Sequence, residues 1–243
     1  MFWHVGIPNF GDDINPDFFE RISGKRIRLT RRRDRLHFLG IGSILAKATG
    51  ASTVLGSGFL VPSDSTPTMP RAVVALRGAL SRAALSSADD TLLGDPLALA
   101  DRLIARPARR RGIAYVPHCR NAERAKRLFA DSIAVIDPRR PPLDVIADIA
   151  ASEAVISQSL HGLIVADAFG VPNLWAAPHD GMKGRFKFDD YFSTLDRPKE
   201  AHAETAELMA RPPMAAFSVG RFLHDKDRLA EALAQASVEG PRQ

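Results

Sequence analysis

The sequence predicts an α/β protein built on parallel sheets, and two observations lead there. Short apolar runs alternate with helical patterns along most of the 243 residues. In the second half, helices of about ten residues separate consecutive strands, the spacing that βαβ crossovers require. Sheets of this kind bind ligands at the carboxyl ends of their strands.

Taken in order, Phe2–Ile7 reads as a first strand and not as a signal peptide. A helix is expected to begin near Pro16, and Ser52–Leu55 and Arg71–Leu76 read as strands. Ser81–Ser86 begins a short helix. Residues 106–112, rich in Arg, Pro and Gly, read as a linker between halves. Gly112–Val116 is then a strand, Asn121–Ala130 a helix with Asn121 as N-cap, and Ile133–Ile136 a strand stopped by Asp137-Pro138. Pro142–Ala151 is an amphipathic helix with Leu143, Ile146, Ala147 and Ala150 on one face. Ala154–Ile156 is a strand, Leu160–Phe169 a helix closed by Gly170, and Val171–Ala176 a strand. A last amphipathic helix spans about Val219–Ala236. The boundaries are therefore an N-terminal half at 1–108, a C-terminal half at 109–218, and a helix with a polar tail at 219–243.

Composition limits the functional classes. No run of about 18 apolar residues is available to span a membrane. Cys119 is the single cysteine, so no internal disulfide forms, which suits a reducing cytoplasm. The net charge of +5 comes from arginine runs such as Arg31–Arg33, Arg109–Arg111 and Arg139-Arg140. These are either a solvated surface or an attraction to anionic ligands and anionic membrane. Nucleic acid is not indicated, because zinc-finger spacing and aromatic-plus-basic RNA motifs are absent. Metal is not indicated either: no ligand spacing such as H-E-x-x-H occurs. A dinucleotide fingerprint is missing as well.

The strongest chemical signal is Ser157-Gln158-Ser159-Leu160-His161-Gly162. A strand ends and a helix begins here. The first helical turn offers backbone N–H groups and a positive dipole end to an anion. Ser157 and Ser159 add hydroxyls, and His161 is expected to titrate near neutral pH. A plain Ser N-cap with a structural histidine fits the segment equally well.

Asn9-Phe10-Gly11-Asp12-Asp13 forms a Gly-bearing loop after the first run. Its aspartates serve as base or hydroxyl binder, or simply cap the next helix. Glycines at Gly40, Gly42, Gly56, Gly58 and Gly78 suggest a loop-lined cleft in the first half. Arg77, at a strand end, and Lys183, Arg185 and Lys187 are candidate clamps for phosphate and carboxylate. His118 ends another strand.

These motifs, in this order, resemble the polysaccharide pyruvyl transferases of bacterial exopolysaccharide synthesis. The matching stretches are Asn9–Asp12, Gly40–Ser43, Gly56–Phe59, Arg77–Ser81, Gly94–Pro96, Val116–His118, Ser157–Gly162 with Gly170–Pro172, and Lys187–Phe192. The resemblance implies two Rossmann-like halves, GT-B-like, with the active site in the cleft between them. It implies transfer of pyruvate from phosphoenolpyruvate to two hydroxyls of a sugar, giving a ketal, with no cofactor. His161, Asp12 and Lys187 would be catalytic. Arg77, Ser157, Ser159, Leu160, Gly162 and Lys183 would bind phosphoenolpyruvate, and Asn9, Gly11, Gly58 and His118 a lipid-linked oligosaccharide acceptor, the first half being the acceptor side and the second the phosphoenolpyruvate side. The enzyme would be cytoplasmic, held peripherally at the inner face of the membrane.

Two departures accompany the resemblance. The chain is short for the family, so a trimmed first half is expected, and Ser159 stands where relatives often hold an arginine. The competing reading is a nucleotide-sugar-dependent GT-B-type glycosyltransferase, with Glu153 or Asp167 on the ribose. A non-catalytic sugar- or membrane-binding module is the third.

Overall fold

The computed structural model describes residues 1–66, 68–108, 111–177 and 184–239. Its elements, in chain order, are α1 (Phe10–Asp13), α2 (Asn15–Ser23), β1 (His37–Leu39), β2 (Ser52–Leu55), β3 (Ala72–Leu76), α3 (Ala79–Leu85) and β4 (Leu92–Leu93). There follow β5 (Arg111–Val116), α4 (Ala122–Phe129), β6 (Ala134–Val135), α5 (Pro142–Ala151), β7 (Ser152–Ser157) and α6 (Leu160–Ala168). The chain continues through β8 (Asn173–Ala176), α7 (Arg185–Phe192), β9 (Ala201–His202), α8 (Ala206–Ala210) and α9 (Lys226–Glu239).

The strands form two all-parallel sheets, one in each half. The first runs β1-β2-β3-β4 and the second β6-β5-β7-β8-β9. In the first sheet each strand lies beside the next, and β1 reaches β2 through only a 3₁₀ turn at Leu45–Lys47. This is the slimmer half. In the second sheet the chain leaves β5 outward to β6, then returns to place β7 on the other side of β5. In sheets of this kind such a reversal marks the place, at the carboxyl ends of the strands, where ligands commonly bind. Val116 and Ser157 are paired at those ends.

Three expectations are corrected. Phe2–Ile7 is not a strand: Phe2 alone bridges Leu39, and Val5 and Ile7 are exposed, so no partner strand repays extending the run. The linker ends earlier than expected, because β5 already contains Arg111. The last helix begins at Lys226, not near Val219; Ser218 instead bridges Asn173 and Phe222 bridges Leu195. Helix α9 then packs on α2 and β3, so this helix belongs physically to the first half.

The halves share a core. Phe10, Ile14 and Phe18 of the first half and Val145, Ile146 and Ile164 of the second lie in one buried apolar cluster. α1 packs on α5, and the 3₁₀ segment Pro96–Arg102 packs on α6. Phe10 N donates to Pro138 O across the junction at 2.8 Å.

A polar latch completes the junction. Arg77, at the end of β3, is fully buried. Its Nε donates to Asp190 Oδ2 of α7 at 2.9 Å, its Nη1 to Ser43 Oγ at 2.7 Å, and its Nη2 to Phe59 O. Asp190 also accepts from Ser81 N at 2.7 Å and from Ser81 Oγ at 2.6 Å. Ala79 N donates to Ser193 Oγ at 2.8 Å. The amides at the start of α3, which no side chain of their own helix caps, are thus met by α7. Gly78 permits this approach: a Cβ there would lie 1.7 Å from Asp190 O.

Removing one partner of a buried charge pair strands the other. Arg77→Met is therefore expected to cost about 3–5 kcal/mol in denaturant unfolding. The double variant Arg77→Met/Asp190→Asn should recover part of that loss.

Candidate active site

His161 lies in the first turn of α6, just past the end of β7. First-half residues surround it. The Phe10 ring meets the imidazole edge-on, with centroids 6.3 Å apart. A Cβ on Gly11 would lie 1.7 Å from His161 Nδ1, so the helix that carries Asp12 rests directly on this ring. Asp95 Oδ2 is 3.9 Å from His161 Nε2. Lys187, on α7, is close enough to depress the proton affinity of His161 and to favour the ionised form of Asp12.

The electrostatics differ from the sequence expectation. His161 does not titrate near neutral pH: burial, reinforced by Lys187 and Arg77, lowers its pKa to about 3. The imidazole is neutral in the unliganded protein. Asp12 moves the other way, its pKa raised by burial and partly held down by a hydrogen bond from Asn9. Asp95 is wholly buried and raised to about 6, mainly by burial.

Several expected ligand contacts have other work. Arg77 is not a free clamp; its guanidinium is sealed in the latch, and Gly58 clears space for it, since a Cβ there would fall 2.4 Å from Arg77 Cζ. Ser157 Oγ donates to Ser159 O at 2.8 Å, inside its own turn. Ser159 Oγ accepts from Gly162 N at 3.4 Å, so it is the N-cap of α6. Gly162 makes room for Ser157 Oγ, which a Cβ would meet at 2.3 Å. Leu160 is buried beside them. Asn9 Nδ2 donates to Asp12 Oδ2 at 2.8 Å, positioning that carboxylate. Lys183 lies outside the described residues.

Around β5, His118 is half-buried and caps the turn after that strand by accepting from Arg120 N. Asn121 does not cap α4. Its Nδ2 donates to Gln158 Oε1 at 2.7 Å, and the same oxygen accepts His118 N at 3.2 Å. Gln158 Nε2 reaches Ala177 O and Glu204. This buried glutamine ties the ends of β5, β7 and β8 together. Cys119 is also near, with burial raising its thiol pKa.

Asp95 and Gln158 are what sequence reasoning missed. Gly94-Asp95-Pro96 was visible as one of the matching stretches, with no role given to Asp95. Asp95 is a cap, accepting Leu97 N at 3.0 Å, and its other oxygen faces His161.

Neither glycosyltransferase carboxylate is placed for a nucleotide. Asp167 is a buried hub that accepts from Asn173, Gly220, Tyr191 and Lys199. Glu153 is exposed on β7. A cavity of about 340 Å³, lined by Ile164, Asp167, Tyr191, Gly220, Arg221 and Lys226 among others, touches none of His161, Asp12, Asp95 or Lys187. Among the described residues no group of three or more His, Cys, Asp or Glu side chains is placed to hold a metal ion. Among them, too, no helix is long and apolar enough to cross a membrane.

A family model described as polysaccharide pyruvyl transferase matches residues 62–180. The chain is 30% identical over 234 residues to the succinoglycan biosynthesis protein ExoV of Rhizobium meliloti (strain 1021), covering 86% of this chain and 70% of that one. The chain belongs to the polysaccharide pyruvyl transferase family. It is an enzyme, and its reaction class is pyruvyl transfer to a polysaccharide. The uncharacterized protein L143 of Acanthamoeba polyphaga mimivirus is also similar, at 27% identity over 71% of this chain and 65% of its own length. No solved structure matches. The segment matched by the family model contains Arg77, Asp95, His118 and His161, so it includes both buried groups of the junction.

Two outcomes follow from this geometry. Gly11→Ala must push the imidazole aside, and activity should fall about 10²-fold in steady-state assays while the fold persists. The second concerns pH. His161 binds a proton more weakly when folded than when unfolded, so the unfolded chain gains protons as pH falls below 6.5. The stability that depends on a neutral His161 is then lost progressively on acidification. Replacing it by His161→Gln removes that loss, and the variant should gain about 2 kcal/mol on wild type between pH 7 and pH 5 in urea titrations.

Proposed function

We propose that the enzyme transfers pyruvate from phosphoenolpyruvate to two hydroxyls of a sugar in an exopolysaccharide precursor, forming a ketal with release of phosphate. The observation that carries this reading is a buried, neutral histidine at the carboxyl end of β7, with a carboxylate and a lysine from two other elements close by. The ligand would occupy a GT-B-like cleft at the carboxyl ends of β5 and β7, where the connections from the two strands part.

The donor is anionic at both ends, carrying a carboxylate and a phosphate. The first turn of α6 and Lys187 supply positive potential for it. Lys183, four positions before Lys187 in the sequence, is the further cation in this proposal. An anion bound there would favour the protonated form of His161 and so reverse the effect of burial. The imidazole then hands a proton to the methylene carbon, and C2 becomes electrophilic. One sugar hydroxyl adds to C2 and its proton returns through His161 or Asp12. Phosphate leaves with the electrons of its C–O bond, and the second hydroxyl closes the ketal while its proton leaves on phosphate. Atoms and charge balance with no redox cofactor.

Asn9, Gly11 and His118 border the acceptor side in this reading. A lipid-linked acceptor would bring the enzyme to the membrane surface. The Arg139-Arg140 run contributes little to that, because it pairs with Asp137, Glu123 and Asp148. The N-terminal arginines are the better candidates. Residues 28–30 lie against the chain start, where Met1 N donates to Arg28 O.

In thermal denaturation, phosphoenolpyruvate should raise the melting temperature and UDP-sugars should not. Phosphate release in the presence of acceptor should fall about 10²–10⁴-fold in His161→Ala, with the fold intact. Stabilisation by UDP-sugars but not by phosphoenolpyruvate would sink the proposal.

A further inference from the structure

Two buried polar atoms at the junction of the halves have no hydrogen-bond partner among the described residues, and they face each other. One is Asp95 Oδ2 and the other His161 Nε2. Both belong to side chains that are almost wholly out of solvent, at 0% and 9% exposure. Buried polar atoms are rarely left unpartnered without a reason in function. Here one atom can only accept while the carboxylate is ionised, and the other can donate.

Each is also firmly held. Asp95 Oδ1 accepts Leu97 N at 3.0 Å, which fixes the carboxylate at the start of the 3₁₀ segment Pro96–Arg102. That segment packs on α6, the helix that carries His161. On the other edge of the imidazole, Gly11 abuts Nδ1 and Phe10 meets the ring. The ring is clamped between the two, with Nε2 towards Asp95 and Nδ1 towards the loop of Asn9 and Asp12.

We infer that Asp95 is a positioning residue for His161: its carboxylate holds the imidazole as the Nε2–H tautomer and leaves Nδ1 as the nitrogen that exchanges protons with the bound ligand. The separation of 3.9 Å is longer than a hydrogen bond, so in the unliganded protein the carboxylate biases the tautomer through its charge in a poorly screened interior, facing an Nε2 that has no other partner among the described residues. A carboxylate that fixes the tautomer of a base works in the same way in the serine-hydrolase triad. It also offsets the neighbouring charges. Lys187 and Arg77 both oppose a proton on His161, and Asp95 sits on the side from which an imidazolium can be stabilised. Arg77, Asp190 and Asp12 are the charged groups that act on Asp95 itself. The inference rests on His161 as the proton carrier, and it extends that role to a residue of the other half.

The test is nitrogen NMR of the histidine side chains on the full-length protein, with the His161 signal assigned by its loss in His161→Gln. The wild type should show Nε2–H. Asp95→Asn can turn an amide N–H towards Nε2, and should convert the signal to Nδ1–H. The same variant should lower kcat by about 10²–10⁴-fold, with KM for phosphoenolpyruvate changed less than about threefold. A wild-type Nδ1–H tautomer overturns the inference even if the variant fails to fold. An Asp95→Asn variant that keeps kcat, or loses it with the tautomer unchanged, overturns it as well. Because the spectrum is recorded without substrate, its result stands apart from whether phosphoenolpyruvate is the donor.

Discussion

The carboxylate of Asp190 is the contact on which the rest of this molecule depends. It accepts from Arg77 at the end of β3 and from both the amide and the hydroxyl of Ser81 at the start of α3. A helix start of this kind would ordinarily be open to a bound anion. Here the protein fills it with its own carboxylate from the other half. Lys187 lies one turn before Asp190 on the same helix, so the latch also sets where the site's cation stands. A charge pair buried this deeply gives little net stability in itself, because desolvation offsets the attraction. Its value is geometric: α7 has a single seat on the first half.

The same economy of contacts assembles the site. The sheet that reverses direction supplies His161, and the sheet that does not supplies the groups against it: Gly11, Phe10 and Asp95. Neither half has the whole constellation. Burial lowers the proton affinity of the imidazole and raises that of Asp95, so both groups are less inclined to carry charge than they would be in water. Such a site responds to an anionic ligand more strongly than an exposed one, because charge in a low-dielectric surrounding is poorly screened.

Much of the second half was legible. The apolar runs of β5, β7 and β8, the span of α5 and the strand-to-helix turn at Ser157–Gly162 follow directly from periodicity and turn chemistry, although α5 buries Val145, Ile146, Ile149 and Ala150 and leaves Leu143 exposed. The first half was harder because its strands are short and one crossover is only a 3₁₀ turn, leaving β1 without a helical flank to mark it. Within the candidate site, the placement of His161 at the start of a helix and of Asp12 near the chain start could be read from position, whereas their nearness to each other could not. The roles of Arg77, Ser157 and Gly58 could not, since a strand-end arginine looks the same whether it faces a ligand or a carboxylate far away in sequence. Asp95 was hidden because nothing in its local sequence ties it to residue 161; only the packing of 96–102 on α6 brings the two together.

The central claim is that this junction carries out pyruvyl transfer from phosphoenolpyruvate. The most direct measurement is mass spectrometry of candidate lipid-linked oligosaccharides incubated with the enzyme and phosphoenolpyruvate. The account predicts a pyruvate ketal adduct on the saccharide with wild type and none with His161→Ala. A hexose adduct formed from a nucleotide sugar, or a pyruvate adduct that survives the loss of His161, would contradict it.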